Sequence, residues 1–234
     1  MKTKKGKLYL IPSFLGHADK TLIPEHNLNI IHRLNEFIVE NEKPARAFLK
    51  SCETPISLSE IILHPIHKHV DPLHTLNYLD SCNDGKDIGL ISDAGLPCVA
   101  DPGYQMVSLA HSKNIEVVPL NGLSSVMMAL MASGFTGQRF AFHGYLPYDK
   151  GQMKKMLKSM VSAIQDGVTQ IFMETPYRNT SLIKELKLHL PADTRLCIAV
   201  DISMPSEEII RSTIDSLPSN LEHLHKRPAV FLIG

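Results

Sequence analysis

Short apolar runs alternate with segments of helical periodicity along most of the chain. Apolar runs of four to eight residues bounded by turn signals predict buried strands, and apolar residues recurring every three or four positions predict helices. The predicted strands are 7–11, 87–92, 115–120, 139–143, 169–173, 195–200 and 229–233, with a further short one at 207–211. The predicted helices are 28–39, 73–79, 104–112, 124–133, 152–165, 180–190 and 212–221.

This alternation of strands and helices predicts an α/β protein with a largely parallel sheet. The predicted boundary between two regions falls at Asn121-Gly122, where a strand gives way to a new helix. It divides the chain into residues 1–120 and 121–234.

The charge balance limits the choice of partners. Among 234 residues, 24 basic and 24 acidic side chains cancel, whereas a nucleic-acid-binding protein usually carries a basic surplus. A contact with RNA must therefore depend on local patches. Two patches of lysines exist, at positions 2, 4, 5 and 7 and at positions 150, 154, 155 and 158. The alternative interpretation is a solubilising tail and a solvated helix face.

Cysteine usage and hydropathy predict a cytoplasmic protein. The four cysteines form no Cys-x-x-Cys pair, which favours reduced thiols in a cytosolic chain. The apolar run after the basic start stops at Pro12, short of a signal peptide, and no stretch approaches the roughly 18 apolar residues of a membrane span. We expect no membrane partner.

Several common functional motifs are absent. The chain contains no Gly-x-Gly-x-x-Gly after its first strand, no Walker A sequence, no His-Glu-x-x-His and no Gly-x-Ser-x-Gly. The usual dinucleotide, nucleoside triphosphate, zinc-protease and serine-hydrolase functions are therefore not indicated.

The most informative segment is the loop at 91–103 (ISDAGLPCVADPG), which leaves a buried strand and leads into a helix. Ligands bind at the carboxyl ends of parallel strands, and Gly95 and Gly103 permit close backbone approach. Two prolines stiffen the path. We expect Asp101 to cap the following helix. An ordinary strand–helix connection is the alternative, but the density of glycine, proline and aspartate favours a binding loop.

Ser-Asp-Ala-Gly-Leu-Pro at 92–97 and Asp-Pro-Gly-Tyr at 101–104 resemble the tetrapyrrole methylase superfamily. The resemblance is strongest to its branch of bacterial 16S ribosomal RNA 2′-O-ribose methyltransferases. Further similar blocks follow in the same order, at 7–16, 67–69, 118–125, 142–147, 172–178 and 207–213.

The resemblance implies a homodimer of two α/β domains that lack the Rossmann fold, with S-adenosylmethionine in the cleft between the domains. Residues 1–120 would form the substrate side, and residues 121–234 the adenosine side and the dimer contacts. No metal is implied. By family position, the cofactor contacts would be Pro12, Ser92, Asp93, Ala94, Val99, Ala100, Ser124, Ser125, Met173, Val200, Pro228 and Ala229.

The chemistry of these positions suits the cofactor. Adenine needs an apolar slot, which Met173, Val200 and Ala229 would line. The carboxylate and ammonium of the cofactor need hydroxyl and backbone partners, which the loops of Ser92 and Ser124 would supply.

Methyl transfer also needs an aligned acceptor and a general base. Glu40, His69 and Asp93 are catalytic candidates by position only. The expected acceptor is a ribose of ribosomal RNA, and the alternatives are a tetrapyrrole or other small molecule. A cofactor-binding protein without catalysis is the third hypothesis, because the chain has Glu-Asn-Glu-Lys at 40–43 where the branch has Glu-Asp-Thr-Arg.

Three other clusters allow two interpretations each. Four histidines at 64, 67, 69 and 74 suggest a metal site or, more simply, a surface or cleft-lining group, since their spacing matches no zinc pattern. Glu174, Tyr177 and Arg178 form a helix start or line a cleft. Tyr145 and Tyr148 lie close to Lys150 in the sequence. These two rings either stack on a base or macrocycle or pack in a domain interface.

Overall fold

The computed structural model describes residues 4–16, 19–66 and 75–234. The chain separates into two compact units, 1–124 and 125–234, and each contains one five-stranded sheet. The α/β fold class is confirmed.

The first unit is built on a fully parallel sheet. Its strands are β1 (Lys7–Ile11), β2 (Glu36–Val39), β3 (Ile62–Pro65), β4 (Ile88–Ile91) and β5 (Glu116–Pro119), in the order β3-β2-β4-β1-β5. The α-helices among its described residues are α1 (Glu25–Ile31), α2 (Glu42–Ser51) and α3 (Tyr104–Ser112). Every strand pairing is parallel, so the carboxyl ends of all five strands lie at one edge.

Both faces of this sheet are covered. Phe37 and Val39 pack into one hydrophobic cluster, while Ile38 between them packs into another. Successive side chains of a strand point to opposite faces, so this alternation means that β2 is buried on both sides, as is usual for parallel sheets.

The second unit is built on a mixed sheet. Its strands are β6 (Phe140–Tyr145), β7 (Thr169–Met173), β8 (Arg195–Val200), β9 (Glu208–Thr213) and β10 (Ala229–Ile233), in the order β6-β7-β10-β8-β9. Its helices are α4 (Ser125–Ser133), α5 (Lys150–Gln165) and α6 (Asn179–His189). Only β6 and β7 pair in parallel.

Helix α5 shows how local sequence produces these elements. The carboxylate of Asp149 accepts a hydrogen bond from the backbone of Gln152 at 2.8 Å and caps the helix. Met153, Leu157 and Met160 recur at helical spacing and are buried against the sheet's core.

Many predicted elements are confirmed. Strands 7–11, 169–173, 195–200 and 229–233 and helix 104–112 have the predicted bounds. The other strand predictions, and helices 124–133, 152–165 and 180–190, match within two residues at each end.

Two predicted helices are wrong. In the predicted helix 28–39, α1 ends at Ile31 and residues 36–39 form β2, because a strand buried on both faces shows no alternation to distinguish it from a helix. In 212–221, β9 continues to Thr213, and a 3₁₀ turn occurs only at Glu222–Leu224. Helix α2 and strand β3 were not predicted. The predicted helix 73–79 lies partly outside the described residues, and Asp80–Asp84 is a 3₁₀ helix.

The predicted parallel arrangement holds for the first sheet and is wrong for the second. Strands β8 and β9 are joined by only seven residues, 201–207, and pair antiparallel. A parallel connection needs a crossover of a dozen or more residues, so this connection permits only a hairpin.

Candidate functional site

Two loops at the carboxyl edge of the first sheet are hydrogen-bonded together. The backbone of Ser13, just after β1, donates to the carbonyl of Gly95 at 2.9 Å, and its hydroxyl donates to the carbonyl of Ser92 at 3.0 Å. The hydroxyl of Ser92 donates to Gly95 at 3.2 Å. Ser92 is buried, so its side chain holds the loop rather than presenting a free hydroxyl.

Glycines bring these loops into close backbone contact. A Cβ atom on Gly122 would lie 2.1 Å from the Cβ of Pro12, so only glycine permits this approach. Gly95 has a φ of +74°, and a Cβ there would lie 2.9 Å from Leu15. The predicted binding residue Pro12 is therefore buried beneath the loop that follows β5.

Four residues of the 91–103 loop are exposed at this edge. The predicted binding residues Asp93, Ala94, Val99 and Ala100 are all exposed. Cys98 and Ala100 have φ values of 69° and 65°, a left-handed conformation that costs free energy in non-glycine residues. Such strain concentrates at functional loops.

Three carboxylates converge here: Asp93 and Asp101 belong to the loop, and Glu40 directly follows β2. The backbone of Asp93 donates to the carboxylate of Glu40 at 3.4 Å, and Asn41 donates to the carboxylate of Asp93 at 2.7 Å. Burial and the nearby charge of Asp93 raise the pKa of Glu40. Burial, followed by the charges of Glu40 and Asp93, raises the pKa of Asp101 from 3.8 to about 6.

The predicted capping role of Asp101 is wrong. Gly103 occupies the N-cap position of α3 with a φ of 123°, and no side chain caps the helix. Asp101 instead joins the carboxylate cluster, and was not among the catalytic candidates. Its position in a dense Asp-Pro-Gly turn was the only signal in the sequence, and that signal also fits a helix start.

The carboxyl end of β7 forms a second edge in the other unit. Ala229 is the register partner of Val200, and Val230 is the partner of Met173. The sheet thus places the predicted adenine-side residues Met173, Val200 and Ala229 on three adjacent strands. Val200 is fully buried in the core, whereas Met173 is half-buried and Pro228 is exposed.

Ser124 and Ser125 occupy the junction between the units. Ser124 is the last residue of the first unit and Ser125 is the first residue of α4, and both are half-buried.

A buried ion pair follows β7. The carboxylate of Glu174 is 1% exposed and lies 3.3 Å from the guanidinium of Arg178. One oxygen of Glu174 and one nitrogen of Arg178 are buried without a hydrogen-bond partner. The guanidinium carbon of Arg178 stacks 3.8 Å from the ring centroid of Tyr148.

The histidine cluster is described only at His64. Its Nε2 lies 2.8 Å from the carboxylate of Glu36, and its ring stacks on Tyr78. The catalytic candidate His69, with His67 and His74, lies outside the described residues. Across the ranges 4–16, 19–66 and 75–234, no three His, Cys, Asp or Glu side chains are grouped to hold a metal ion.

No helix in the described part of the chain is long and apolar enough to cross a membrane.

A parallel sheet with glycine-bearing loops at its carboxyl edge is the arrangement at which open α/β sheets bind ligands. The chain belongs to the family of tetrapyrrole (corrin/porphyrin) methylases, whose profile matches residues 22–218. It is therefore a methyltransferase by family.

The curated relatives of this chain include ribosomal RNA methyltransferases. The ribosomal RNA small subunit methyltransferase I of Streptococcus pyogenes serotype M6 is 30% identical over 234 residues, covering 99% of this chain and 77% of the relative. The protein of the same name from Halalkalibacterium halodurans is 26% identical over 211 residues, covering 90% and 69%.

A solved structure supports the fold. The crystal structure of the methyltransferase CobJ superposes with a TM-score of 0.66 at 14% identity, covering 98% of this chain and 94% of that one. At this identity the likeness shows a shared two-domain, non-Rossmann α/β fold and nothing about substrate. The predicted family and fold are confirmed.

Proposed function

We propose that this chain transfers a methyl group from S-adenosylmethionine to a ribose 2′-hydroxyl of small-subunit ribosomal RNA. The observation that carries the proposal is the loop edge of the first sheet, where three carboxylates meet glycine-lined backbone at the predicted cofactor position. The names of the relatives from Streptococcus pyogenes and Halalkalibacterium halodurans support the choice of acceptor.

The residues at this edge fit the cofactor. S-adenosylmethionine supplies a methyl group on a positively charged sulfonium and also carries an ammonium group. Carboxylates at Glu40, Asp93 and Asp101 favour cations, and their mutual repulsion decreases when a cation is near. The close approach of Gly122 to Pro12 leaves backbone rather than side chains at the edge. Val99 and Ala100 add exposed apolar surface.

The adenine end fits the second edge. Met173 offers half-buried apolar surface, and the buried side chains of Ala229 and Val200 back it from the core. The location of one cofactor between the two units, the homodimer and the cytoplasmic location remain predictions.

Asp101 is the best-suited general base among the described carboxylates. A base works best when its pKa approaches the operating pH, and the pKa of Asp101 is raised to about 6. Asp93 is held in place by hydrogen bonds to Asn41 and Glu40. The amide of Asn41, in the altered 40–43 segment, thus still contacts the site, which supports catalysis over a cofactor-binding role alone.

Transfer of a tritiated methyl group tests the proposal. Wild-type protein and tritiated S-adenosylmethionine are incubated with small ribosomal subunits lacking the modification, and separately with uroporphyrinogen. We expect label in ribosomal RNA, at a ribose. Asp101→Asn should lower kcat by about 10²–10⁴-fold. The matched control is Asp84→Asn, because Asp84 is exposed and lies at the end of a 3₁₀ helix.

Each outcome has a defined meaning. Label in the tetrapyrrole alone would replace the proposed acceptor. Cofactor binding without transfer to either substrate would favour the non-catalytic alternative. Equal activity of Asp101→Asn and Asp84→Asn would remove Asp101 from catalysis.

A further inference from the structure

Two tyrosines near the carboxyl end of β7 project into solvent next to cations. Tyr148 is 73% exposed and Tyr177 is 68% exposed, unusually high for aromatic side chains. Arg178 stacks on Tyr148 at 3.8 Å, and the ammonium of Lys226 lies 5.7 Å from the ring centroid of Tyr177. His225 contacts the edge of Tyr177, with 6.1 Å between ring centroids.

The loop that carries Lys226 is held in one conformation. Lys226 has a φ of +66°, rare for a residue with a side chain, and its backbone donates to the carbonyl of Pro176 at 2.9 Å. The fully buried side chain of Asn179 donates to the carbonyls of Leu224 at 3.1 Å and Arg227 at 2.7 Å.

Arg227 fixes the other side of this loop. Its guanidinium bonds the carboxylates of Asp201 at 2.7 Å and Glu208 at 2.8 Å and the carbonyl of Ser206 at 2.6 Å. These contacts hold the left-handed residue in place and fix the backbone on which Tyr177 and Lys226 are mounted. A rigid binding surface loses little entropy when it binds a partner.

We infer that Tyr148, Tyr177 and Lys226 form a stacking platform for unpaired bases of the RNA substrate. This inference rests on the proposed function. Exposed aromatic rings stack on bases of any identity, and adjacent cations attract the backbone phosphates. In a chain of zero net charge, a local patch of this kind supplies the attraction that composition does not.

The position of the platform agrees with this role. Tyr177 lies four residues after Met173, and Lys226 lies two residues before Pro228. Tyr145, the register partner of Met173, adds a third exposed ring at the end of β6. Bases held here would flank the second edge described above, beside the predicted adenine-side residues.

Fluorescence anisotropy with a short, unstructured, labelled single-stranded RNA tests the platform on the full chain. Tyr148→Ala and Tyr177→Ala should each weaken binding by about tenfold. Tyr148→Phe and Tyr177→Phe keep the ring and should bind within about twofold of wild type. Lys226→Ala should weaken binding at low salt and reduce the salt dependence by about one phosphate contact.

Binding of RNA, of S-adenosylhomocysteine and of uroporphyrin is measured in parallel for each variant. Calorimetric binding of S-adenosylhomocysteine should be unchanged in all these variants. If the alanine variants bind RNA like wild type, or if wild type binds no single-stranded RNA, the inference fails. If they lose the cofactor instead, the rings form an adenine shelf; if they lose only uroporphyrin, they form a macrocycle site. Both results overturn the inference.

Failure of the proposed function gives a different pattern. Methyl transfer to ribosomal RNA would then be absent in wild type, while the effect of the ring on RNA binding in the anisotropy experiment would persist.

Discussion

Replacement of Asp101 by asparagine should stabilise the unliganded protein while removing activity. Burial and two neighbouring carboxylates make the ionised form of Asp101 unfavourable in the folded state, which is why its pKa rises from 3.8 to about 6. Asparagine has nearly the same shape and carries no charge. The substitution therefore removes an electrostatic cost that only the folded protein bears.

The size of the expected stabilisation follows from the pKa shift of Asp101. One pKa unit corresponds to about 1.4 kcal/mol, so a shift of about two units gives an upper bound of ~3 kcal/mol. Because Asp101 is only partly buried, solvent reduces this to about 1.5 kcal/mol. For a unit of this size, that change corresponds to about 5 °C in Tm.

The pH dependence identifies the cause. The folded protein binds a proton at Asp101 more tightly than the unfolded chain, so wild type gains stability relative to the variant as the pH falls from 6 to about 4. Asp101→Asn should be more stable than wild type at pH 8, and the difference should vanish near pH 4. Thermal unfolding across this range measures it. A difference independent of pH, or a variant less stable at pH 8, would refute the reasoning.

Three further predictions concern the same edges. Gly122→Ala should weaken S-adenosylhomocysteine binding in calorimetry at least tenfold by forcing the loops apart, whereas Gly137→Ala, which has space for a methyl group, should not. Iodoacetamide at pH 8 should modify Cys98 first in the native protein, because Cys98 is half-buried whereas the other three thiols are buried. Burial raises the pKa of Cys98 as well, but it raises the pKa values of the other three to about 11 or 12. S-adenosylhomocysteine should slow this reaction, and early labelling of Cys197 would contradict the prediction. Arg227→Met should lower the free energy of unfolding in urea by about 3 kcal/mol, since it leaves the buried carboxylate of Asp201 without its ion-pair partner. Adding Asp201→Asn should restore part of that loss. If the single variant loses no stability, the ion pair is not stabilising.

The sequence predicted the fold best where periodicity and turn signals agreed. Strand β7 and helix α3 stand between clear breaks, and their bounds were predicted correctly. Strand β2 was not predicted because all four of its residues are buried, so the alternation of apolar and polar residues that marks a strand is missing. Helix α2 was missed because it is short and mostly polar, so that its apolar stripe consists of only three buried residues, Ala45, Phe48 and Leu49.

The candidate site was predictable in outline but not in its side-chain roles. Glycines and prolines at 95–103 indicated a binding loop, and the structure places that loop at the carboxyl edge of the parallel sheet. The sequence did not show that Glu40 joins Asp93 and Asp101, because Glu40 lies 53 and 61 residues before them and meets them only when β2 and β4 pair. Nor did the sequence show that the hydroxyl of Ser92 donates a hydrogen bond to Gly95 within its own loop.

A crystal structure of the protein with S-adenosylhomocysteine most directly tests whether the two sheet edges bind one nucleoside. We predict that the amino acid end of the ligand contacts backbone groups of residues 93–100 and that adenine contacts Met173 and Ala229. A ligand bound elsewhere, or no binding at millimolar concentration, would contradict the assignment of both edges.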